Sequence, residues 1–464
     1  MMTPDFERVD PDYWQLLVEF WSFSDTNATW VLIGAVLLGM SASVIGTFSF
    51  LRKRSLVGDV LAHSALPGVM VAFILSHSNQ PLVMFAGALS SSMLGLLLMD
   101  WLPKNTKIKP DAAMAITLSF FFAMGLLALS YIQGLPIPGK SGLDKILFGQ
   151  AAAMLPADLY LLSAVAVVVL VMVWVLFHKL RLVAFSPDYA RTLGLPLVGY
   201  ELTLALLIVS AVVIGLQLVG VVLMAAVLLT PIAAARFWHR QLTVMLGIAS
   251  LIGALSGAIS ANISYMAPTM PTGPWMVVVL SMIFLVSFLF APQRGLLSNL
   301  LRQRRFKKQV RAENLLRSFY LLNERRQQSK GNFLQASLNR VFSEEELLSH
   351  RPMPYGSLMK GLRELARNGY LVYARADKGW ALTEWGAAVA LELTRRHRLW
   401  ETYLVTEAGL SPQDVHRQAE KMEHLLTAEE IERLAELLEQ GPQSGKGVKD
   451  PHGRLIPLTV EPSS

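Results

Sequence analysis

The sequence has no cysteine at all. Disulfides, thiolate metal sites and cysteine nucleophiles are therefore excluded. Charge is also scarce. Only 16% of the 464 residues are charged, against about 25% in a soluble globular protein. That shortage, beside a 53% hydrophobic content, rules out a disordered chain, a purely nucleic-acid-binding protein and an ordinary cytosolic enzyme. What remains is an integral membrane protein with a soluble part attached.

The charges are unevenly placed. Residues 1–292 carry 14 Lys/Arg and 13 Asp/Glu, whereas residues 293–464 carry 27 and 21. Five sections follow: an N-terminal extracytoplasmic segment (1–29), a transmembrane domain (30–292), a basic linker (293–310), a winged-helix-like domain (311–386) and a helical metal-binding, dimerisation-like domain with its tail (387–464). Runs long enough to cross a bilayer, about 20 residues each, lie at 30–51, 59–76, 81–102, 111–132, 158–179, 201–220, 221–236, 243–265 and 273–291. The fold class is thus an all-α polytopic membrane domain of about eight or nine helices followed by a mainly α cytoplasmic part. The pair within 201–236 is short for two spans, so a tight hairpin and one long helix with a broken end both fit. Basic clusters after alternate spans, at Arg52–Arg54, Lys104–Lys109, Lys179–Arg181, Arg236–Arg240 and Arg302–Lys308, place one side and the soluble tail in the cytoplasm. The linker also suits anionic headgroups.

Gly134-Leu-Pro-Ile-Pro-Gly-Lys-Ser141 matches the phosphate-loop pattern letter for letter. A phosphate loop works by pointing consecutive backbone N–H groups at phosphate, and Pro136 and Pro138 have none. The segment follows an apolar span and faces away from cytoplasmic ATP. No nucleotide site is expected in this chain, and ATP-driven work falls to a separate one.

Ionisable residues inside spans are costly and usually functional. Asp59 and His63 stand four apart, on one face of a helix, and a carboxylate with a neutral imidazole is half of a divalent transition-metal site. Spacing equally allows Asp59 to cap the helix and His63 to bond a neighbouring helix. Pro67 and Gly68 bend a helix, which is tolerated where it lines a cavity. The small residues of Gly247–Gly257 and Ser90–Ser92 suit close packing.

Four segments together resemble the permease subunits of ABC transporters that import manganese, zinc or iron. They are Gly58-Asp59-x-x-x-His63-x-x-Leu66-Pro67-Gly68, Ser186–Pro196, Val219–Leu223 running to Thr230–Arg236, and Pro271-Thr272-Gly273. The resemblance implies that Asp59 and His63 contact the metal in transit, and that two facing permeases, the same or homologous, combine two such pairs. It implies that Ser186, Pro187, Asp188, Tyr189, Ala190, Arg191, Thr192, Leu193 and Gly194 form the cytoplasmic coupling helix. Ser186 suits a cap, Pro187 the first helical position and Gly194 the end. The implied partners are cytoplasmic ABC ATPase subunits, an extracytoplasmic metal-binding protein, a second permease and membrane lipids. The implied location is the bacterial plasma membrane.

In the tail, Tyr355–Asn368 reads as an amphipathic helix. Tyr370–Tyr373 and Trp380–Thr383, joined through Asp377-Lys-Gly379, read as a wing. His397 and Glu401 are four apart, and His416, Glu420, Glu423 and His424 follow at helical spacings. Such His and carboxylate donors suit Mn²⁺, Fe²⁺ or Zn²⁺; scattered surface charges on helices fit the same spacings. Residues 311–457, with Asp450-Pro-His-Gly453 and Ile456-Pro457, resemble the diphtheria-toxin-repressor type of metal-dependent regulators. That resemblance implies a regulatory metal on His397, Glu401, His416, Glu420, Glu423 and His424, and Glu420 matches the manganese-sensing branch. Asn314 and Arg317 stand where that branch has acidic ligands, a departure that argues against a complete two-metal site. Nucleic acid is not expected as a partner, because a domain tied to the membrane reaches DNA poorly.

The sequence therefore points to a non-enzymatic permease subunit of an ATP-driven metal importer, with Mn²⁺ ahead of Zn²⁺ and Fe²⁺ and no organic cofactor. Its tail senses metal. A membrane-anchored metal-responsive transcription regulator is the rival, and an exporter-like channel without an ATPase is a third. The coupling-helix segment opposes both.

Overall fold

A computed structural model describes residues 13–52, 56–77, 80–136, 149, 156–267, 271–326, 340–411, 428–439, 450 and 456. It divides into two compact units, 1–299 and 300–464.

In the first unit, the short helix α1 (Tyr13–Trp21) precedes α2 (Thr26–Leu51), α3 (Val57–Ser76), α4 (Pro81–Asn105), α5 (Pro110–Gly134) and α6 (Pro156–Phe185). Then come α7 (Pro187–Thr192), α8 (Leu197–Val219), α9 (Met224–Trp238), α10 (Leu242–Met266) and α11 (Thr272–Phe290). Asp25 starts α2 by accepting from the amides of Asn27 (2.8 Å) and Ala28 (3.3 Å), a side-chain cap of the usual kind.

Eight of these helices are long and apolar enough to cross a membrane. The expected span 221–236 is the exception. It is the 15-residue α9, only about 22 Å long at 1.5 Å per residue. The reason is local. Gly220 takes φ +88°, which ends α8, and the chain turns before α9 starts. Of the two readings of 201–236, the structure takes the hairpin. Glu201 at the start of α8 lies 3.6 Å from Arg52, and Arg236 near the end of α9 lies over the Phe50 ring at 5.5 Å. Both ends return to the end of α2.

Bare backbone contacts hold the unit's centre. A Cβ on Gly39 would strike the carbonyl oxygen of Gly253, and one on Gly253 would strike that of Gly39. Only glycine allows α2 and α10 to pack that closely, the small-residue logic of membrane helices. Gly68 of α3 and Gly87 of α4 repeat the arrangement. Ser91 and Ser92 of α4 then donate to the α3 carbonyls of Ser64 (2.6 Å) and Leu61 (2.9 Å), so these serines do more than save space. Val60, Leu61 and Ala62 are fully buried, which locks α3 between its neighbours.

The next helix, α12 (Leu296–Arg326), takes in most of the expected basic linker and continues beyond it without a break. The second unit adds α13 (Glu344–His350), α14 (Tyr355–Arg367), β1 (Leu371–Ala374), β2 (Gly379–Leu382), α15 (Glu384–Thr406) and α16 (Ala428–Glu439). The strands pair antiparallel, Leu371 against Leu382 and Ala374 against Gly379. The turn is carried by Lys378 at φ +48°, while Gly379 already belongs to β2. A bridge from Phe342 to Trp380 widens this wing. Ser343 and Glu346 form a capping box on α13. Leu315, Phe319, Leu358, Leu362, Leu371 and Leu382 fill the core, so the winged-helix reading is realised.

Candidate metal path

Asp59 lies in the first turn of α3, whose N-cap position is Leu56. It is not a cap residue, so that reading of the spacing falls. His63 follows one turn later, and both are half-buried. The imidazole stands edge-on to Phe122 of α5, with ring centres 4.6 Å apart at 74°. Its Nδ1 is buried and has no hydrogen-bond partner. The reading in which His63 bonds a neighbouring helix through that atom therefore falls too. A buried nitrogen without a partner costs about 1–3 kcal/mol and is the kind of atom that asks for an explanation. Among the described residues no group of three or more His, Asp or Glu gathers here. The potential donors at this level are thus the two side chains, Asp59 and His63. Beyond them, Pro67, Val71, Leu75 and Ser76 of α3 line a groove of about 610 Å³ with Gly87 and Phe121.

The coupling segment forms α7, Pro187–Thr192. Ser186 occupies the N-cap position, but its side chain makes no cap bond because the backbone there (φ −147°, ψ 83°) is not a capping conformation. Pro187 takes the first helical position as expected. Gly194 at φ +73° ends the helix, with the amide of Leu195 reaching back to the Ala190 carbonyl at 3.2 Å, a Schellman closure. Ala190 is buried, whereas Tyr189 and Leu193 are 57% and 55% exposed. Asp188 and Arg191 pair loosely at 3.7 Å, both exposed.

In the tail, His397 and Glu401 are brought together on α15. Nε2 and Oε1 are 2.9 Å apart, and each residue is 2% exposed. His416, Glu420, Glu423 and His424 lie outside the described residues, as do Ile137–Ser141 of the phosphate-loop look-alike. Sequence reasoning missed the neighbour of this pair, Arg398. Its guanidinium meets Glu324 of α12 at 2.6 Å and Asp450 at 3.5 Å, and it stands over Tyr320 at 5.7 Å. Burial, which outweighs the guanidinium, pushes the Tyr320 phenol up to about 12. The motif Asp450-Pro-His-Gly was visible in the sequence, but its partner 52 positions earlier was not. Arg317 is buried as well.

Residues 24–291 match the ABC 3 transport family. The chain belongs to that family. A manganese transport system membrane protein, MntC of Bacillus subtilis, is 35% identical over 386 residues, 83% of this chain and 86% of the relative. A zinc transport system membrane protein, TroC of Treponema pallidum, is 39% identical over 61% of this chain and 95% of its own. Among solved structures, PsaBC from Streptococcus pneumoniae, in complex with Fab, superposes with a TM-score of 0.55 at 29% identity, over 62% of this chain and 99% of that one. Residues 383–458 match a second family, the iron dependent repressor metal binding and dimerisation domain.

As an ABC 3 permease, the chain is a multi-pass membrane subunit of an ATP-driven importer and not itself an enzyme. Its partners are those of an ABC transporter, an ATPase and a substrate-binding protein, and divalent metal enters as substrate and regulator. The spans are not a bare anchor for a regulator, and the reading as a channel without an ATPase falls with it.

Proposed function

We propose that this ABC 3 permease imports Mn²⁺, with Zn²⁺ and Fe²⁺ as competitors, along the face of α3 that bears Asp59 and His63. The observation carrying this reading is the helical stacking of a carboxylate and an imidazole whose buried Nδ1 has no partner. A carboxylate oxygen and a neutral imidazole replace part of a divalent ion's water shell, and the absence of sulfur favours the harder ions. Two facing permeases would supply two such pairs. The exposed Tyr189 and Leu193 of α7 suit docking to the ATPase, whose closure would move α7 and open the path inward. The tail would take cytosolic metal at His397 and Glu401, with His416, Glu420, Glu423 and His424 joining them, and damp import as the metal accumulates. The match of residues 383–458 to a metal-binding repressor domain supports that role.

The test is uptake of radioactive Mn²⁺ by cells carrying Asp59→Ala or His63→Ala, with Zn²⁺ and Fe²⁺ as competitors. We expect at least a tenfold fall, on the order of 1.4 kcal/mol. Wild-type uptake by both variants would overturn the assignment.

A further inference from the structure

Pro67 lies four residues after His63, inside α3. In an α-helix the N–H of residue 67 is the donor that satisfies the carbonyl of residue 63. Proline has no N–H, and its ring crowds that same carbonyl. The residue that presents the imidazole therefore also presents a backbone oxygen stripped of its helical donor.

The neighbouring helix deals with the disturbed turn selectively. Ser92 donates to the carbonyl of Leu61 and Ser91 to that of Ser64. Both hydroxyls reach across from α4 to carbonyls one and two residues from His63, and neither goes to the oxygen that proline disconnects. Helix carbonyls point towards the C-terminus, and the C-terminal end of α3 is the extracytoplasmic end. The His63 oxygen thus lies on the outward side of its own imidazole, on the face shared by residues 59, 63 and 67. Pro67 also lines the inner end of the groove that runs on to Leu75 and Ser76.

We infer that the main-chain carbonyl of His63 is a further donor to the transported cation, the first that an ion from outside meets before the imidazole and then the carboxylate of Asp59. A backbone carbonyl without a helical donor is tolerated at membrane depth where it lines a path. A neutral hard oxygen adds affinity for Mn²⁺ more than for Zn²⁺, which is satisfied by fewer and softer donors. The inference rests on the Asp59/His63 path.

Its test uses two replacements at one position, in the full chain with its ATPase. Pro67→Ala restores the N–H and recaptures the oxygen. An α-hydroxy analogue of alanine at position 67, introduced by nonsense suppression, removes both the ring and the N–H and leaves the oxygen free. Uptake of radioactive Mn²⁺ and Zn²⁺ is measured against concentration. Pro67→Ala is expected to raise KM for Mn²⁺ about tenfold, the lower end of what losing a supporting group costs a metal site, with a smaller change for Zn²⁺. The hydroxy-acid variant is expected to stay near wild type. An unchanged KM in Pro67→Ala overturns the inference. So does an equal loss in both variants, which would assign the effect to the bend. Either result leaves the path itself standing if Asp59→Ala still abolishes uptake, whereas wild-type uptake by Asp59→Ala removes the path.

Discussion

His350, at the end of α13, shows how one side chain carries a pH dependence. Its imidazole is held below the ordinary value of 6.5, first by burial and then by Arg325, Arg351 and Arg317. The folded tail favours the neutral ring, so the stabilisation is complete above pH 6.5 and is lost as pH falls further and the unfolded chain takes the proton. The thermal unfolding midpoint of the tail should drop between pH 7.5 and 5.5, and His350→Gln should remove part of that drop. A slope identical to wild type in the variant would count against the assignment. Arg398 makes a different residue-scale case. Replacing it with Met removes the guanidinium beside Asp450, which is 5% exposed. Breaking a buried pair from one side costs about 3 kcal/mol, to be read as a lowered tail unfolding midpoint. At this scale the sequence was partly legible. The stacking of Asp59 with His63 and the contact of His397 with Glu401 were legible as spacings of four, which are local facts. The Arg398 pairings join residues 74 and 52 positions apart, and no local pattern announces them.

Helices follow the sequence where the signal is periodic or punctuated. The amphipathic α14 and the two wing strands fall within a residue or two of expectation, because spaced leucines and the turn residues Asp377-Lys-Gly379 are local signals. Helix α9 is shorter than its hydropathy suggests, since Gly220 sets a left-handed backbone that hydropathy does not encode. The closeness of α2 to α10 sets an expected outcome. Gly39→Ala or Gly253→Ala brings a methyl against a carbonyl oxygen, with a cost of about 1–3 kcal/mol for overpacking. The yield of folded protein in detergent should fall for each. Helix α7 gives a test of another kind. Tyr189→Ala with Leu193→Ala removes mainly exposed apolar surface. Folding should be unaffected, while co-purification of the ATPase and stimulated uptake both fall; full retention of the ATPase would refute the docking role of α7.

Across the whole molecule, hydrophobicity falls near residue 292, and the structure divides into units at 299. The basic stretch was legible as composition, but not as part of the unbroken α12. Deleting residues 311–464 should raise Mn²⁺ uptake at high internal Mn²⁺ if the tail restrains import; equal rates would end that idea. The Arg398 cluster warns against a milder truncation. Asp450 comes from near the far end of the chain and lodges beside a guanidinium otherwise held by α12 and α15. A stop codon placed just before it would therefore act like a missense lesion in the interior, leaving Arg398 short of one of its two acidic partners.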